Sequence, residues 1–154
     1  MASPIVLIID DEDSQREWVR DVLESCLPSF TIQEANSLDL ARARIREVID
    51  HHLDVRIAVV DLNLSKPINR AEGLVLVREI REALPGCFII LVSSKDNLYA
   101  EVKPGDPRID YIVSLSYLKP DPTDELLTAL AKATQPSQVT QIPMASCSMG
   151  PETR

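Results

Sequence analysis

Hydrophobic positions along this chain form short unbroken runs, separated by amphipathic segments. The runs at residues 5–9, 57–60 and 88–92 are apolar at every position, as expected for strands that are buried on both faces of a parallel sheet. Between the runs, leucine, isoleucine and valine recur at the three- and four-residue spacing of helices with one apolar face. The alternation of these two patterns predicts an α/β domain with a mainly parallel sheet.

The pattern places five strands and five helices between residues 4 and 134. The predicted strands lie near residues 4–9, 30–34, 56–61, 87–92 and 110–116. The predicted helices lie near residues 13–27, 37–51, 71–84, 95–102 and 122–134. From Gln135 onward the periodicity is lost. We therefore predict one domain over residues 1–134 and a disordered tail or linker over residues 135–154.

Charge and composition exclude several classes of partner. The 154 residues carry 16 Lys and Arg against 24 Asp and Glu, a net charge of −8, and this field would repel a nucleic-acid backbone, so we expect no direct nucleic-acid binding. No apolar run approaches the ~18 residues of a membrane span, and no signal peptide is recognisable. The three cysteines are scattered, without metal-ligand spacing. We therefore expect a cytoplasmic protein with reduced thiols and no membrane association.

Polar residues directly follow the apolar runs. Asp10 and Asp11 follow the first run, Asp61 ends the strand predicted at 56–61, and Ser93 follows the run at 88–92. Lys119 follows the last predicted strand. Because the carboxyl ends of parallel strands share one edge of the sheet, we expect these five side chains to share a pocket. Clustered carboxylates repel one another unless a cation lies among them, and Mg²⁺ prefers carboxylate and phosphate oxygens. The set predicts a magnesium-dependent site that accepts a phosphoryl group, although an acidic pair after a strand can also simply cap the next helix.

Five fragments in this order resemble the receiver domains of two-component response regulators. The fragments are Val6–Glu12, Val59–Asn63, Gly73–Arg81, Ile90–Ser94 and Leu118–Pro120. The resemblance covers residues ~4 to 134. It implies a flavodoxin-like, doubly wound parallel sheet of five strands in the order 2-1-3-4-5, with helices on both faces.

The resemblance also implies a role for each residue of the predicted pocket. Asp61 would be the phosphorylated residue, and it would bind Mg²⁺ directly together with Asp11. Asp10 would act on the metal largely through water, and the backbone carbonyl of Asn63 would be a further ligand. Catalysis at such a site consists mostly of positioning and of offsetting charge.

Two further residues would bind the phosphoryl group itself. Ser93 would donate a hydrogen bond to one phosphoryl oxygen, and Lys119 would neutralise another. The resemblance implies a histidine kinase or a phosphotransfer protein as the donor in a phosphorelay. The phosphorylated chain would then change its binding to a downstream protein target or to a second copy of itself.

Departures from the family pattern keep other functions open. The segment from Asp61 to Gly73 is a few residues longer than is usual in the family, and Ser116, followed by Tyr117, stands where an aromatic switch residue is expected. The missing aromatic at residue 116, together with the break that Pro104 and Pro107 impose on the predicted fourth helix, favours the alternative of a receiver that acts as an interaction module without phosphorylation. A phosphatase with an aspartate nucleophile needs a second acid two residues further on, where this chain has Asn63. We therefore expect no enzyme.

Overall fold

The computed structural model describes residues 3–62, 64, 72–93, 108–114 and 122–135. The strands in these ranges are β1 (Ile5–Ile9), β2 (Thr31–Ala35), β3 (Val55–Asp61), β4 (Phe88–Ser93) and β5 (Tyr111–Ser114). The helices are α1 (Asp13–Cys26), α2 (Leu38–Asp50), α3 (Glu72–Ala83) and α4 (Thr123–Ala133). The predicted helix near residues 95–102 and most of the predicted tail lie outside the described residues.

All five strands form one parallel sheet in the order β2-β1-β3-β4-β5. This confirms the predicted order 2-1-3-4-5 and the doubly wound architecture. The central strands end almost level, since Ile9 lies opposite both Ala35 and Val60, and Asp61 lies opposite Val92. We call the edge where the strands end the carboxyl edge, and the edge where they begin the amino edge.

Two apolar layers cover the sheet. In β1, Ile5, Leu7 and Ile9 pack in the layer with α2 and α3, whereas Val6 and Ile8 pack in the layer with α1 and α4. Successive side chains of a strand point to opposite faces, so a strand covered on both sides needs apolar residues at every position. All five residues of β1 are accordingly buried.

Helices α1 and α4 are linked by a tryptophan side chain. The Trp18 indole nitrogen of α1 donates a hydrogen bond to the Thr123 hydroxyl at the start of α4, at 3.1 Å. The indole also packs against the buried layer between these helices and the sheet. Across the ranges given above, no helix is long and apolar enough to cross a membrane, and the longest, α1, has 14 residues.

An arginine side chain fastens the amino edge. Arg81, near the end of α3, donates hydrogen bonds to the carbonyls of Cys87 and Arg108 at 2.8 and 3.0 Å, and to the Asp110 carboxylate at 2.6 Å. The same Asp110 oxygen accepts a hydrogen bond from the Ile89 amide at 2.8 Å. We call this group the amino-edge clamp. It fixes the starts of β4 and β5 against the end of α3.

Candidate functional site

The structure brings three of the predicted acids together at the carboxyl edge. Asp10 and Asp11 directly follow β1, and Asp61 is the last residue of the neighbouring β3. One carboxylate oxygen from each residue lies within 4.8 Å of the others. Opposite ligands of a magnesium ion lie about 4.2 Å apart, because each bond measures about 2.1 Å. The cluster therefore has the size and the oxygen chemistry for a small divalent cation, after a slight rotation of one side chain or with one intervening water.

Ser93 lies at the same edge, on the strand next to Asp61. It is the last residue of β4, it is fully buried, and it follows directly after Val92, the partner of Asp61 in the sheet. The pairing continues beyond Asp61, because the Leu62 amide donates a hydrogen bond to the Val92 carbonyl at 2.9 Å. Ser93 therefore lies at the carboxyl edge of the sheet, where the sequence predicted it.

Four residues of the sequence argument lie outside the part of the chain that the structure describes. They are Asn63, Ser116, Tyr117 and Lys119. The metal-binding role of the Asn63 carbonyl and the phosphate-binding role of the Lys119 ammonium therefore stay predictions. The same holds for the effect of Ser116 and Tyr117 at the position of the aromatic switch residue.

The first turn of α1 holds Asp10 on several sides. Asp10 is only 3% exposed. Its Oδ1 accepts a hydrogen bond from the Glu12 amide at 2.8 Å, and its Oδ2 accepts one from the Gln15 side-chain amide. The Arg16 guanidinium donates to the main-chain carbonyl of Asp10 at 2.9 Å. Both carboxylate oxygens are therefore oriented by donors of the chain itself.

The surroundings of Asp10 disfavour its negative charge in the metal-free protein. Burial raises the pKa of Asp10 to about 6, although hydrogen bonds from Glu12 and Gln15 act in the opposite direction. The negative charges of Asp11 and Glu12 raise the pKa further. A bound cation would relieve both the burial penalty and the repulsion, so the electrostatics as well as the donor atoms suit a divalent metal.

Gly73 allows α3 to approach the end of β3. Its amide donates a hydrogen bond to the Leu62 carbonyl at 2.9 Å. A Cβ atom at this position would lie 2.1 Å from the Asp61 carbonyl oxygen and 2.7 Å from the Leu62 Cα, distances at which the backbone must move. In the sequence, Gly73 is identified only as part of a matching fragment and as the end of the long segment after Asp61. One sequence feature could have identified its role: Gly73 lies in the first turn of a predicted helix. Glycine lowers helix stability, so its presence there indicates close packing.

Gln15 and Arg16 are the other residues at the site that the sequence argument did not identify. Both lie in the first turns of α1, and helical side chains tilt toward the N-terminus of their helix, which here faces the end of β1. Arg16 also binds Glu34 of β2 at 2.9 Å and Asp13 at 2.6 Å. Their position just after Asp10 was visible in the sequence, but the side-chain directions were not.

Comparison with known families gives one match that covers most of the chain. The model of the response regulator receiver domain matches residues 6–131. None of the curated proteins that were compared has a significant match to the sequence.

Solved structures share the fold at low sequence identity. A CheY-like response regulator receiver domain from Methanospirillum hungatei JF-1 has 19% identity and a TM-score of 0.66, over 90% of this chain and 99% of that one. The receiver domain of an HD domain-containing protein from Pseudomonas fluorescens Pf-5 has 19% identity and a TM-score of 0.66, over 94% and 96%. A response regulator from Burkholderia pseudomallei, with a phosphorylated aspartic acid and a calcium ion, has 18% identity and a TM-score of 0.61, over 90% and 74%.

Proposed function

We propose, because the chain belongs to the family of response regulator receiver domains, that it accepts a phosphoryl group on Asp61 with the help of Mg²⁺ and thereby changes its binding to a partner protein. Members of this family are generally signalling domains rather than enzymes, and they interact with kinases and effector domains. The donor would be a histidine kinase or a phosphotransfer protein, and the reaction would take place in the cytoplasm, as is typical of the family.

The observation that carries this proposal is the cluster of Asp10, Asp11 and Asp61 at the ends of two adjacent strands, with one carboxylate oxygen from each within 4.8 Å of the others. An isolated acid at a strand end has many structural explanations. Three carboxylates whose oxygens lie within 4.8 Å of one another, one of them on a buried residue, repel one another, and this repulsion costs stability in the metal-free protein. A cation between the acids would offset this cost.

In the proposed reaction, a carboxylate oxygen of Asp61 attacks the phosphorus of a phosphohistidine. The new bond is the P–O bond of an acyl phosphate, the P–N bond breaks, and the imidazole nitrogen keeps the electron pair and takes a proton from solvent. Asp11, Asp61 and the Asn63 carbonyl would hold Mg²⁺, and Asp10 would bind it through water. When bound, the ion offsets the charge of the phosphoryl oxygens.

Two residues of this chain would act on the phosphoryl group after transfer. Ser93 would donate a hydrogen bond to one oxygen, and Lys119 would pair with another. The buried position of Ser93 at the end of β4 supports its role. The Burkholderia pseudomallei response regulator, which has a similar fold, contains a phosphorylated aspartic acid and a calcium ion.

Mass spectrometry after incubation with a small phosphodonor and Mg²⁺ tests the proposal. The wild-type chain should gain one phosphoryl group, and Asp61→Asn should gain none, because an amide is a poor nucleophile. Asp54→Asn is a matched control, since Asp54 is an exposed aspartate just before the opposite end of the same strand, and this variant should be labelled like the wild type.

If Asp61→Asn is still labelled, the phosphorylated residue is not Asp61. A folded wild-type chain that takes up no phosphoryl group, from the small donor or from a phosphorylated kinase, would contradict the proposal and favour the interaction module that acts without phosphorylation.

A further inference from the structure

We propose that Gln15 is a positioning residue for the metal site: its side-chain amide fixes the Asp10 carboxylate in the orientation in which that carboxylate supports Mg²⁺. The inference rests on the proposed function, because it concerns the same site. It assigns a role to a residue of α1 that the family resemblance did not assign.

The two oxygens of Asp10 are held in different ways. Oδ1 accepts its hydrogen bond from the Glu12 main-chain amide, which every amino acid except proline would provide at that position. Oδ2 accepts from the side chain of Gln15, so this contact depends on the residue type. The rotation of the carboxylate about its Cβ–Cγ bond is therefore set by two donors, of which only Gln15 acts through its side chain. Each oxygen keeps further lone-pair directions for a metal-bound water.

The donor is neutral, and this matters for a metal site. A lysine or an arginine in the place of Gln15 would orient Asp10 equally well but would also cancel its charge and repel a cation. The nearby arginine does not take this role. Arg16 binds the main-chain carbonyl of Asp10, and its charge is paired with Asp13 and Glu34.

The backbone that carries Gln15 is itself anchored. Glu34 of β2 binds Arg16 with one carboxylate oxygen at 2.9 Å and Arg20 with the other at 2.7 Å. The two arginines lie one turn apart on α1, so this edge strand holds the start of the helix at two points. Gln15 lies directly beside the first point. Its amide therefore reaches Asp10 from a fixed position, as a residue that orients a metal ligand must.

Magnesium titration of wild-type protein, Gln15→Met and Gln33→Met by calorimetry tests this role. Methionine keeps the length of glutamine and removes the donor. We expect Gln15→Met to weaken Mg²⁺ binding about tenfold, the low end of the range for partners that orient metal ligands, because Asp10 would act through a metal-bound water. Gln33→Met makes the same change on β2, at a glutamine whose buried side-chain oxygen has no hydrogen-bond partner, and it should bind Mg²⁺ like the wild type.

A second variant separates orientation from charge. Gln15→Lys keeps a donor and adds a cation, so it should bind Mg²⁺ more weakly than Gln15→Met and yet melt at a higher temperature than the wild type in the absence of Mg²⁺. A purely structural Gln15 predicts the opposite pattern, in which melting temperatures fall and Mg²⁺ affinity stays unchanged. In Gln15→Met, the phosphorylation rate at saturating Mg²⁺ should return to within about twofold of the wild type, since the loss lies in metal binding.

The outcomes for the two proposals differ. A wild-type chain that binds Mg²⁺ and is labelled, together with Gln15→Met and Gln15→Lys variants of unchanged Mg²⁺ affinity, overturns the role of Gln15 alone. A folded wild-type chain that binds no Mg²⁺ overturns both the proposed function and this inference.

Discussion

The two edges of the sheet use aspartate in opposite ways. At the amino edge, Asp110 pairs with Arg81 at 2.6 Å, and its side chain is 34% exposed. At the carboxyl edge, Asp10 is 3% exposed, yet its carboxylate accepts hydrogen bonds from two neutral groups, on Glu12 and Gln15. The more deeply buried acid thus has the weaker electrostatic compensation. An acid whose charge is balanced within the chain stabilises the fold, whereas a buried acid held only by neutral donors retains its attraction for a cation from outside.

Removal of the arginine at the amino edge should have the largest effect on stability. Arg81→Met deletes the hydrogen bonds of the amino-edge clamp and leaves the Asp110 carboxylate without its cation. We expect the free energy of unfolding to fall by about 3 kcal/mol, while Mg²⁺ affinity stays unchanged. Urea unfolding and a magnesium titration measure the two quantities.

Arg56→Met is the matched control at the same edge. Its partner is Asp54, and both side chains are more than half exposed, so this pair should contribute less than about 1 kcal/mol. Equal losses of unfolding free energy in Arg81→Met and Arg56→Met would contradict the structural role of the amino-edge clamp. A loss of Mg²⁺ binding in Arg81→Met would show that the two edges are not independent.

A methyl group on Gly73 should disturb the carboxyl edge. Gly73→Ala places a Cβ atom where the backbone of Asp61 and Leu62 now lies, so α3 must move away from β3. We expect a loss of about 2 kcal/mol in unfolding free energy and slower phosphorylation of Asp61, measured by urea unfolding and by mass spectrometry over time. Gly86→Ala is the control, because a Cβ there meets nothing within 4 Å. Equal behaviour of the two variants would show that the close approach is unimportant.

The smallest expected effect is a gain in stability at the carboxyl edge. Asp10→Asn keeps the shape of the side chain and removes its charge, but its amide nitrogen would face one of the two donors that the carboxylate now accepts from. In the absence of metal the variant should be more stable than the wild type by about 1 kcal/mol above neutral pH, because the relief of the buried charge exceeds the loss of one hydrogen bond. The same change should weaken Mg²⁺ binding. A less stable metal-free variant would contradict the view that Asp10 is held at an electrostatic cost.

The pH dependence of this gain follows from the raised pKa of Asp10, about 6 against a usual value of 3.8. The folded state binds the proton more tightly than the unfolded state, so wild-type stability is greatest below the unfolded pKa and falls as the pH rises through the folded pKa. The advantage of Asp10→Asn should therefore be full at about pH 8 and shrink steadily toward about pH 4. Urea unfolding in EDTA across this range checks it, and an advantage that grows at low pH would refute the assignment.

The fold was predictable because its signal is local and repeated. Apolar runs without alternation indicate strands covered on both faces, and β1 and β3 occur where such runs predicted them, within one residue at each end. The four helices that the structure describes begin and end within one residue of the prediction, as is usual for frayed termini. The meeting of Asp10, Asp11 and Asp61 follows from strand order alone, because adjacent parallel strands end at a common edge.

The contacts that hold this arrangement were not predictable in the same way. The amino-edge clamp joins Arg81 to Asp110, residues 29 positions apart, and no local pattern specifies such a pair. Gly73 contacts the end of β3, and Gln15 contacts Asp10. Both contacts exist only because the helices are already packed on the sheet. A sequence pattern determines which elements form and where they end, whereas these side-chain contacts depend on the packing that follows.

The hydrogen bond between Trp18 and Thr123 makes the tryptophan fluorescence of the protein sensitive to the packing of α1 and α4. Trp18 is the single tryptophan of the chain, and Thr123 begins α4 four positions after Lys119. Its indole is half-buried between α1 and α4, and indole emission depends on hydrogen bonding and on the polarity around the ring. When tryptophan is excited selectively over the three tyrosines, the emission of this protein therefore comes from Trp18 alone. A displacement of α4 relative to α1 then changes the emission wavelength and intensity without any attached dye.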